Sequence, residues 1–162
     1  ALYEKGAAVV IVSIRRNPIE ALNPAMKASN LLNNALASRE AYQKGAFEAI
    51  LLNTRGEVAE AAGSNIFMVK GGRLQTPPLS AGILEGITRQ ITLEIAAATG
   101  VVFEERVLHP QDLRSADEVF LTSSLKEIAP VTTLDGAPVG DGKPGPVTKQ
   151  LLAAYRARIQ GD

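Results

Sequence analysis

The pattern of apolar residues along the chain predicts a series of strands separated by well-marked turns. The run AAVVIVSI at residues 7–14 is apolar and rich in β-branched side chains, which is typical of a buried strand. Residues 65–70 and 73–75 flank Gly71-Gly72 and predict a hairpin, because adjacent glycines suit the left-handed turn of tightly paired strands. Further strands are predicted at residues 47–53, 57–60, 101–106, 117–122 and 129–134.

Helical periodicity appears in three longer segments. The first begins at Ser29-Asn30, which are residue types that cap helix N-termini, and Gly45 ends it. In the second, Ile87, Ile91 and Ile95 recur at helical spacing and share one face. The predicted helices span residues 29–44, 87–99 and 147–160, with a short helix at 110–115. Several strands and three main helices predict an α+β domain over residues 1–162.

Composition excludes several classes of function. Lys and Arg number 17, as do Asp and Glu, so the formal net charge of zero gives no reason to expect nucleic acid or an anionic membrane as partner. The absence of cysteine excludes disulfides, thiolate metal sites and a cysteine nucleophile, and it is compatible with a cytoplasmic protein. No apolar run approaches the ~20 residues that a membrane span needs.

Four segments carry groups that could take part in chemistry, although each also has an ordinary structural interpretation. Lys27 follows a proline-containing loop; a lysine in an apolar pocket can attack a carbonyl, but most lysines are solvated. Glu60 could keep a pyridine nitrogen protonated, or it could be an exposed turn carboxylate. Gly86-Ile87-Thr88 opens a helix and could bind phosphate or only cap the helix. The hydroxyls of Thr122-Ser123-Ser124 could donate to a phosphate or a substrate carboxylate, or form a polar strand end.

Two further sites offer weaker signals. His109 is the only histidine and precedes Pro110 at a predicted helix start, so we expect a surface or capping residue. Arg15-Arg16 could meet a carboxylate, but a solvated pair in a loop is the expectation that we adopt.

Four stretches in a fixed order give the chain a specific resemblance. They are LNPAMKASNLLNNALASREA, EAILLNTRGEVAEAAGSNIFMVKGGRLQTPPLSAGILEGITRQ, DEVFLTSS and GDGKPGPVTK. Together they resemble the class IV, or fold type IV, pyridoxal-phosphate enzymes, and the similarity runs from residue 7 to residue 158. This family contains branched-chain aminotransferases, D-amino acid aminotransferases and 4-amino-4-deoxychorismate lyases. The resemblance implies the large C-terminal domain of that fold, with pyridoxal 5′-phosphate as cofactor.

The same resemblance implies roles for single residues. Lys27 would bind the cofactor covalently and move a proton between the substrate and the cofactor, and Glu60 would pair with the pyridine nitrogen. Leu84 would pack on the ring. The phosphate would be held by Gly86, Ile87 and Thr88 at the helix start and by the Ser124 hydroxyl, and the turn formed by Ser123, Ser124 and Leu125 would lie beside the substrate carboxylate.

The resemblance does not decide which of these three kinds of enzyme the chain belongs to. GDGKPGPVTK and TPPLSAGILEGITR are most similar to branched-chain aminotransferases, which implies transfer of an amino group between an amino acid and a 2-oxo acid. Leu31 is similar to D-amino acid aminotransferases, and Ala62-Gly63-Ser64-Asn65 to the D-amino acid and lyase branches. The turn Ser123-Ser124-Leu125 also departs from the Gly-Thr-Ala of branched-chain enzymes. The alternatives to a branched-chain aminotransferase are therefore a D-amino acid aminotransferase and a 4-amino-4-deoxychorismate lyase.

The family also implies parts beyond this chain. Its members carry a small N-terminal domain before the point where this sequence begins, and they form homodimers. We therefore expect a sequence that starts inside a longer protein and lacks full activity by itself. A non-catalytic homologue that serves as a binding or dimerisation module is the alternative from another class, and intact Lys27 and Glu60 argue against it.

Overall fold

A curled nine-stranded sheet organises the computed structural model, which describes residues 1–161. The strands are β1 (Ala7–Arg15), β2 (Glu48–Leu52), β3 (Val58–Ala61), β4 (Asn65–Lys70), β5 (Arg73–Thr76), β6 (Phe103–Glu105), β7 (Glu118–Ser123), β8 (Glu127–Leu134) and β9 (Ala137–Pro138). The helices are α1 (Leu2–Lys5), α2 (Ile19–Leu22), α3 (Leu32–Gln43), α4 (Ile87–Ala98), α5 (Pro110–Arg114) and α6 (Pro146–Ile159). Two 3₁₀ turns, Pro24–Met26 and Leu79–Ala81, complete the path.

The order of the strands brings the edge strand β3 back to β4, which lies farther along the sheet. The order is β3-β2-β1-β8-β7-β4-β5-β6, with β9 paired to β8. β1 runs parallel to both of its neighbours, whereas β7 is antiparallel to β4 and β8. β3 and β4 are consecutive in sequence but far apart in this order, and the turn at 62–64 joins them through a bond from the Ala61 amide to the Ser64 carbonyl. The sheet therefore curls back on itself.

Both faces of the sheet are covered, which explains why the strands are continuous apolar runs rather than alternating ones. In β4, Ile66 and Met68 point into the cluster inside the curl, while Phe67 and Val69 pack outward with α4 and α6. The other end of the sheet is covered by α3, whose buried contacts come from Ala37 and Ala41. Small alanines let this helix pack closely on β1 and β2.

The C-terminal motif has a structural role in this fold. Glu118 of β7 is buried, and its carboxylate accepts hydrogen bonds from the Val147 amide, the Thr148 amide and the Thr148 hydroxyl, at 3.0, 2.8 and 2.7 Å. These amides are the first of α6, and a carboxylate there satisfies donors that the helix leaves free. The GPVT segment thus fastens α6 to the sheet.

The predicted elements are present, with boundaries that differ mostly by one or two residues, and the α+β class with three main helices is confirmed. The Gly71-Gly72 hairpin is confirmed, with positive φ at both glycines. The start of the first helix was wrong: α3 begins at Leu32, after an extended stretch that contains Ser29-Asn30, and its N-cap Leu31 makes no side-chain cap. Helices α1 and α2 and strand β9 were not predicted.

One predicted helix face is only partly a core face. Ile95 is buried and Ile91 packs against the same cluster, but Ile87 is 66% exposed. Ile87 lies at the start of α4, where the helix meets a cavity instead of the core. The predicted helical periodicity is therefore confirmed, and the face that the three isoleucines share meets the core only at Ile91 and Ile95.

Candidate active site

A cavity of about 850 Å³ lies where the two turns after β3 and β7 meet the starts of α3 and α4. Every site residue predicted from the sequence lines it: Lys27, Glu60, Leu84, Gly86, Ile87, Thr88, Ser123, Ser124 and Leu125. These residues come from four separate segments, so their convergence is a property of the fold and not of sequence proximity. A buried acid, a helix N-terminus, a lysine and several hydroxyls therefore share one space.

Glu60 is the buried acid of the cavity, at 4% exposure. The Arg16 guanidinium donates through Nε to its Oε1 at 2.8 Å, and the Leu84 amide donates to its Oε2 at 2.9 Å. Burial raises the pKa of the Glu60 carboxyl above its usual value, while the Arg16 charge and the Leu84 amide oppose that rise. Glu60 is thus a desolvated carboxylate with one compensating cation.

Arg16 corrects the expectation of a solvated arginine pair. Arg15 is exposed, but Arg16 is buried and its Nη1 also donates to Asn33 and Asn34 in the first turn of α3, at 3.1 and 3.3 Å. The alternation of side chains along β1 could have predicted the burial of Arg16. Alternate residues of a strand point to the same face, and Val12 and Ile14, which precede Arg16 at this spacing, face α3.

Asn65 links Glu60 to the segment that leads into α4. Its side-chain amide donates to the Leu84 carbonyl at 2.8 Å and to Glu60 Oε2 at 3.3 Å. Leu84 is therefore held through both its amide and its carbonyl, which fixes its side chain at the cavity. A Cβ on Gly86 would lie 2.2 Å from Asn65 Oδ1, so a larger residue here would displace the Asn65 side chain that binds Leu84 and Glu60.

The start of α4 presents backbone amides to the same space. Gly86 is the N-cap, and no side chain caps the helix there. The first amides of a helix have no intrahelical acceptor and carry the positive end of the helix dipole, so this end of the cavity suits an anion. The Thr122 hydroxyl, which belongs to the lining of the same cavity, is buried and has no hydrogen-bond partner within the described chain. Residue Thr122 belongs to the predicted row of hydroxyls.

Lys27 lies at the exposed side of the cavity. It ends the 3₁₀ turn Pro24–Met26 with φ 47° and ψ 45°, a left-handed conformation that is uncommon for a residue with a side chain. The Asn23 side chain accepts from the Ala25 amide at 3.0 Å, and the Lys27 amide donates to the Pro24 carbonyl at 3.1 Å. Residues in such strained conformations persist only where the surrounding structure holds them in place, and they are found most often at functional sites.

A second ion pair at the cavity was not predicted from the sequence. Glu48, at the start of β2, is buried, and its Oε2 lies 2.8 Å from the ammonium of Lys126. Its Oε1 accepts from the Gly63 amide at 2.7 Å and from the Ser64 hydroxyl at 3.2 Å. Gly63, Ser64 and Lys126 all line the cavity. The only signal in the sequence was an acid heading a fully apolar strand, EAILL.

The remaining candidate, His109, is the exposed N-cap of α5, and the Asp112 carboxylate accepts from its backbone amide at 2.7 Å. Across residues 1–161, no three His, Asp or Glu side chains are arranged to hold a metal ion. None of the helices in this range has the length and apolarity required to cross a membrane.

Comparison with known proteins identifies the family. The profile of the amino-transferase class IV family matches residues 1–134. The chain belongs to the class IV aminotransferases. The branched-chain-amino-acid aminotransferase of Escherichia coli K12 is a relative with 38% identity over 160 residues, covering 98% of this chain and 52% of the relative. This class IV chain therefore spans about half the length of the curated relatives it matches.

Solved structures of class IV aminotransferases have the same fold. The crystal structure of the Escherichia coli branched-chain amino acid aminotransferase gives a TM-score of 0.94 at 38% identity, covering 96% of this chain and 52% of that one. The Thermobaculum terrenum branched-chain enzyme in its pyridoxal-phosphate form gives 0.93 at 39% identity, covering 96% and 51%. The expected fold type IV architecture is confirmed.

Proposed function

We propose that this chain carries the pyridoxal-phosphate site of an aminotransferase that moves an amino group between a branched-chain amino acid and a 2-oxo acid. The observation that carries the proposal is the convergence of Lys27, Glu60 and the α4 N-terminus in one cavity. The names of the relatives support the substrate class, and the pyridoxal-phosphate form of the Thermobaculum terrenum enzyme supports the cofactor.

The residues present fit this cofactor. The cofactor has an anionic phosphate at one end and a ring nitrogen at the other, and the cavity has helix amides at Gly86–Thr88 and a buried carboxylate at Glu60. The unpartnered Thr122 hydroxyl is an orphaned polar group in the lining, which a bound polar ligand would satisfy. Leu84 offers an apolar side chain to the ring, and the Ser124 hydroxyl adds a donor toward the phosphate.

When bound, pyridoxal phosphate supplies a ring that accepts electrons from the substrate α-carbon. The Glu60 carboxylate would favour a positive charge at the ring nitrogen, and the nearby Arg16 guanidinium lowers the pKa of Glu60 against the larger rise that burial causes. Lys27 holds the cofactor and carries the proton to and from the α-carbon. The hydroxyls of Ser123 and Ser124 and the backbone amides of the turn formed by Ser123, Ser124 and Leu125 would orient the substrate carboxylate.

Three further properties remain predictions from the family resemblance. We expect the protein to form a homodimer, to be cytoplasmic, and to have a small N-terminal domain that completes the site. The exposed apolar side chains at and near the cavity favour a covering element, and they include Met26, Leu31, Ile87 and Leu125.

The assignment of Lys27 is tested by chemical trapping in the full-length gene product. Borohydride reduction in the presence of pyridoxal phosphate, followed by peptide mass spectrometry, should label the peptide that contains Lys27. Lys27→Ala should lose the label and the visible absorption band, whereas Lys126→Ala, which removes the other lysine lining the cavity, should keep both. A label that persists in Lys27→Ala at another lysine contradicts the assignment.

The substrate class is tested with a panel of amino donors and 2-oxoglutarate as acceptor. We expect L-leucine, L-isoleucine and L-valine to be the best donors. Faster transfer from D-alanine would favour the D-amino acid alternative, to which Leu31 and the segment Ala62-Gly63-Ser64-Asn65 are similar. Release of pyruvate from 4-amino-4-deoxychorismate without amino transfer would favour the lyase.

A further inference from the structure

Two turns that face the cavity are joined by the Glu48–Lys126 ion pair. One turn connects β3 to β4 through residues 62–64, and the other connects β7 to β8 through residues 124–126. Lys126 belongs to the second turn, while Glu48 holds the first by accepting from the Gly63 amide and the Ser64 hydroxyl. The Lys126 ammonium also lies 3.2 Å from the Ser64 hydroxyl. The carboxylate therefore bridges the two turns.

Burial gives this bridge a fixed geometry. The side chain of Glu48 is 5% exposed and that of Lys126 is 26% exposed. A buried carboxylate that loses its only counter-ion is strongly destabilised, so the pair has little freedom to separate. A Cβ on Gly63 would lie 3.4 Å from Glu48 Oε1 and 3.6 Å from the Lys126 ammonium, which is ordinary van der Waals contact, so the 62–64 turn lies directly beside the pair.

The backbone of the second turn is held at the same residue. The Lys126 amide donates to the Ser123 hydroxyl at 3.1 Å, and Glu127 follows in a left-handed conformation with φ 51°. The Lys126 carbonyl accepts from the Tyr3 hydroxyl at 3.4 Å. Lys126 thus connects the conformation of the Ser123–Leu125 segment to the buried Glu48.

We infer that Glu48 and Lys126 are positioning residues that clamp the 124–126 turn against the 62–64 turn and so set the shape of the substrate end of the cavity. The inference rests on the proposed function, in which the Ser123–Leu125 segment receives the substrate carboxylate. The pair does not contact Glu60, Leu84 or Lys27. Of the groups proposed to hold the cofactor, the clamped turns include only the Ser124 hydroxyl, which is one of several donors toward the phosphate. Loss of the clamp therefore weakens the binding of the amino acid more than the binding of the cofactor.

The test compares Lys126→Met with Lys126→Arg in the full-length protein loaded with pyridoxal phosphate. Lys126→Met keeps most of the alkyl stem and removes the charge, and we expect KM for the amino donor to rise roughly tenfold with kcat changed less than about threefold. The dissociation constant of the cofactor, measured by absorbance titration, should stay within about twofold. Lys126→Arg restores a cation beside Glu48 and should recover much of the KM.

A second variant separates the clamp from a general loss of folding. Glu48→Gln/Lys126→Met leaves no buried unpaired charge, so its stability should recover relative to Lys126→Met while KM stays high. Hydrogen exchange supplies a readout apart from activity: amides at 62–65 and 123–127 should exchange faster in both variants, with α4 unchanged.

The outcomes are distinct. Raised KM and faster exchange in both turns support the clamp. If the wild-type protein is active, the inference is overturned when KM or hydrogen exchange is unchanged in the variants. It is also overturned when the variants lose affinity for the cofactor as much as for the amino donor. Absence of amino transfer by the wild-type protein overturns the proposed function and the substrate part of this inference together.

Discussion

At the scale of single residues, the Arg16–Glu60 pair is the contact on which the electrostatics of the cavity depend. Removing Arg16 takes away the one cation that opposes the burial of Glu60, so we expect the pKa of Glu60 to rise further in Arg16→Met. Breaking a buried pair from one side costs about 3–5 kcal/mol of unfolding free energy. Affinity for pyridoxal phosphate should fall as well, and more so at lower pH, because a protonated Glu60 no longer favours a charged ring nitrogen.

The neighbouring arginine gives a matched control for that measurement. Arg15→Met changes an exposed side chain and should alter the unfolding free energy by no more than about 0.5 kcal/mol in urea titrations. Arg16→Met/Glu60→Gln should recover part of the lost stability without recovering cofactor affinity. Equal losses for Arg15→Met and Arg16→Met would contradict the role given to the pair.

The sequence predicts the site residues better than it predicts their partners. Lys27, Glu60 and the Gly86–Thr88 segment lie in ordered motifs, and the fold brings them into one cavity. Arg16 and Glu60 are 44 residues apart, and no local pattern specifies which carboxylate an arginine will meet. Glu48 and Lys126 were missed for the same reason, since their pairing depends on how the sheet curls.

At the scale of elements, α3 illustrates how tertiary contacts override local capping signals. Ser29-Asn30 are good N-cap types, yet the helix begins at Leu32. Starting there puts Asn33 and Asn34 in the first turn, where they accept from Arg16, and the Asn34 amide donates to the Ala62 carbonyl at 2.7 Å. The residues before the helix then lie along the cavity, so the start of α3 is set by the site.

The other end of α3 is attached to the sheet by a carboxylate that titrates. Glu40 accepts from the Lys44 ammonium at 2.7 Å, and from the Ser13 amide and hydroxyl of β1 at 2.9 and 2.7 Å. The Lys44 bond and then the Ser13 bonds lower the pKa of Glu40 to about 2. The folded state therefore prefers the ionised form, and the stability from it is present above the unfolded value of 4.5 and lost as pH falls toward 2.

We expect Glu40→Gln to be less stable than wild type by about 1 kcal/mol at pH 7, because the charge-assisted bonds to Lys44 and Ser13 are weakened. The difference in unfolding free energy between wild type and Glu40→Gln should become smaller below the usual carboxylate pKa of 4.5, because wild-type Glu40 then begins to protonate in the unfolded chain. Urea unfolding at several pH values measures it, with exposed Glu20→Gln as control. A gap that is constant from pH 7 to the acid limit would mean that Glu40 acts through packing and not through its charge.

At the scale of the whole molecule, the strands and helices could be predicted but the closure of the sheet could not. Periodicity specifies which residues are apolar, whereas the order β3-β2-β1-β8-β7-β4 depends on which distant strands pair. The curl places the turn at 62–64 beside the turn at 124–126, and it is this closure that forms the cavity. Several elements therefore form the cavity together, and a ligand in it contacts the segments that follow β1, β3 and β7 and those that begin α3 and α4.

Such a site should make the fold more stable when it is filled. A ligand that binds only the folded chain at one hundred times its dissociation constant adds about 2.7 kcal/mol, which for a domain of this size raises the unfolding midpoint by roughly 5–10 °C. We expect pyridoxal phosphate to do so in calorimetry. Pyridoxal, which lacks the phosphate, should raise the midpoint much less, because the amides at Gly86–Thr88 would then have no anion to bind. Equal shifts from the two ligands would show that the start of α4 does not hold the phosphate, and would place the anion-binding role elsewhere in the cavity.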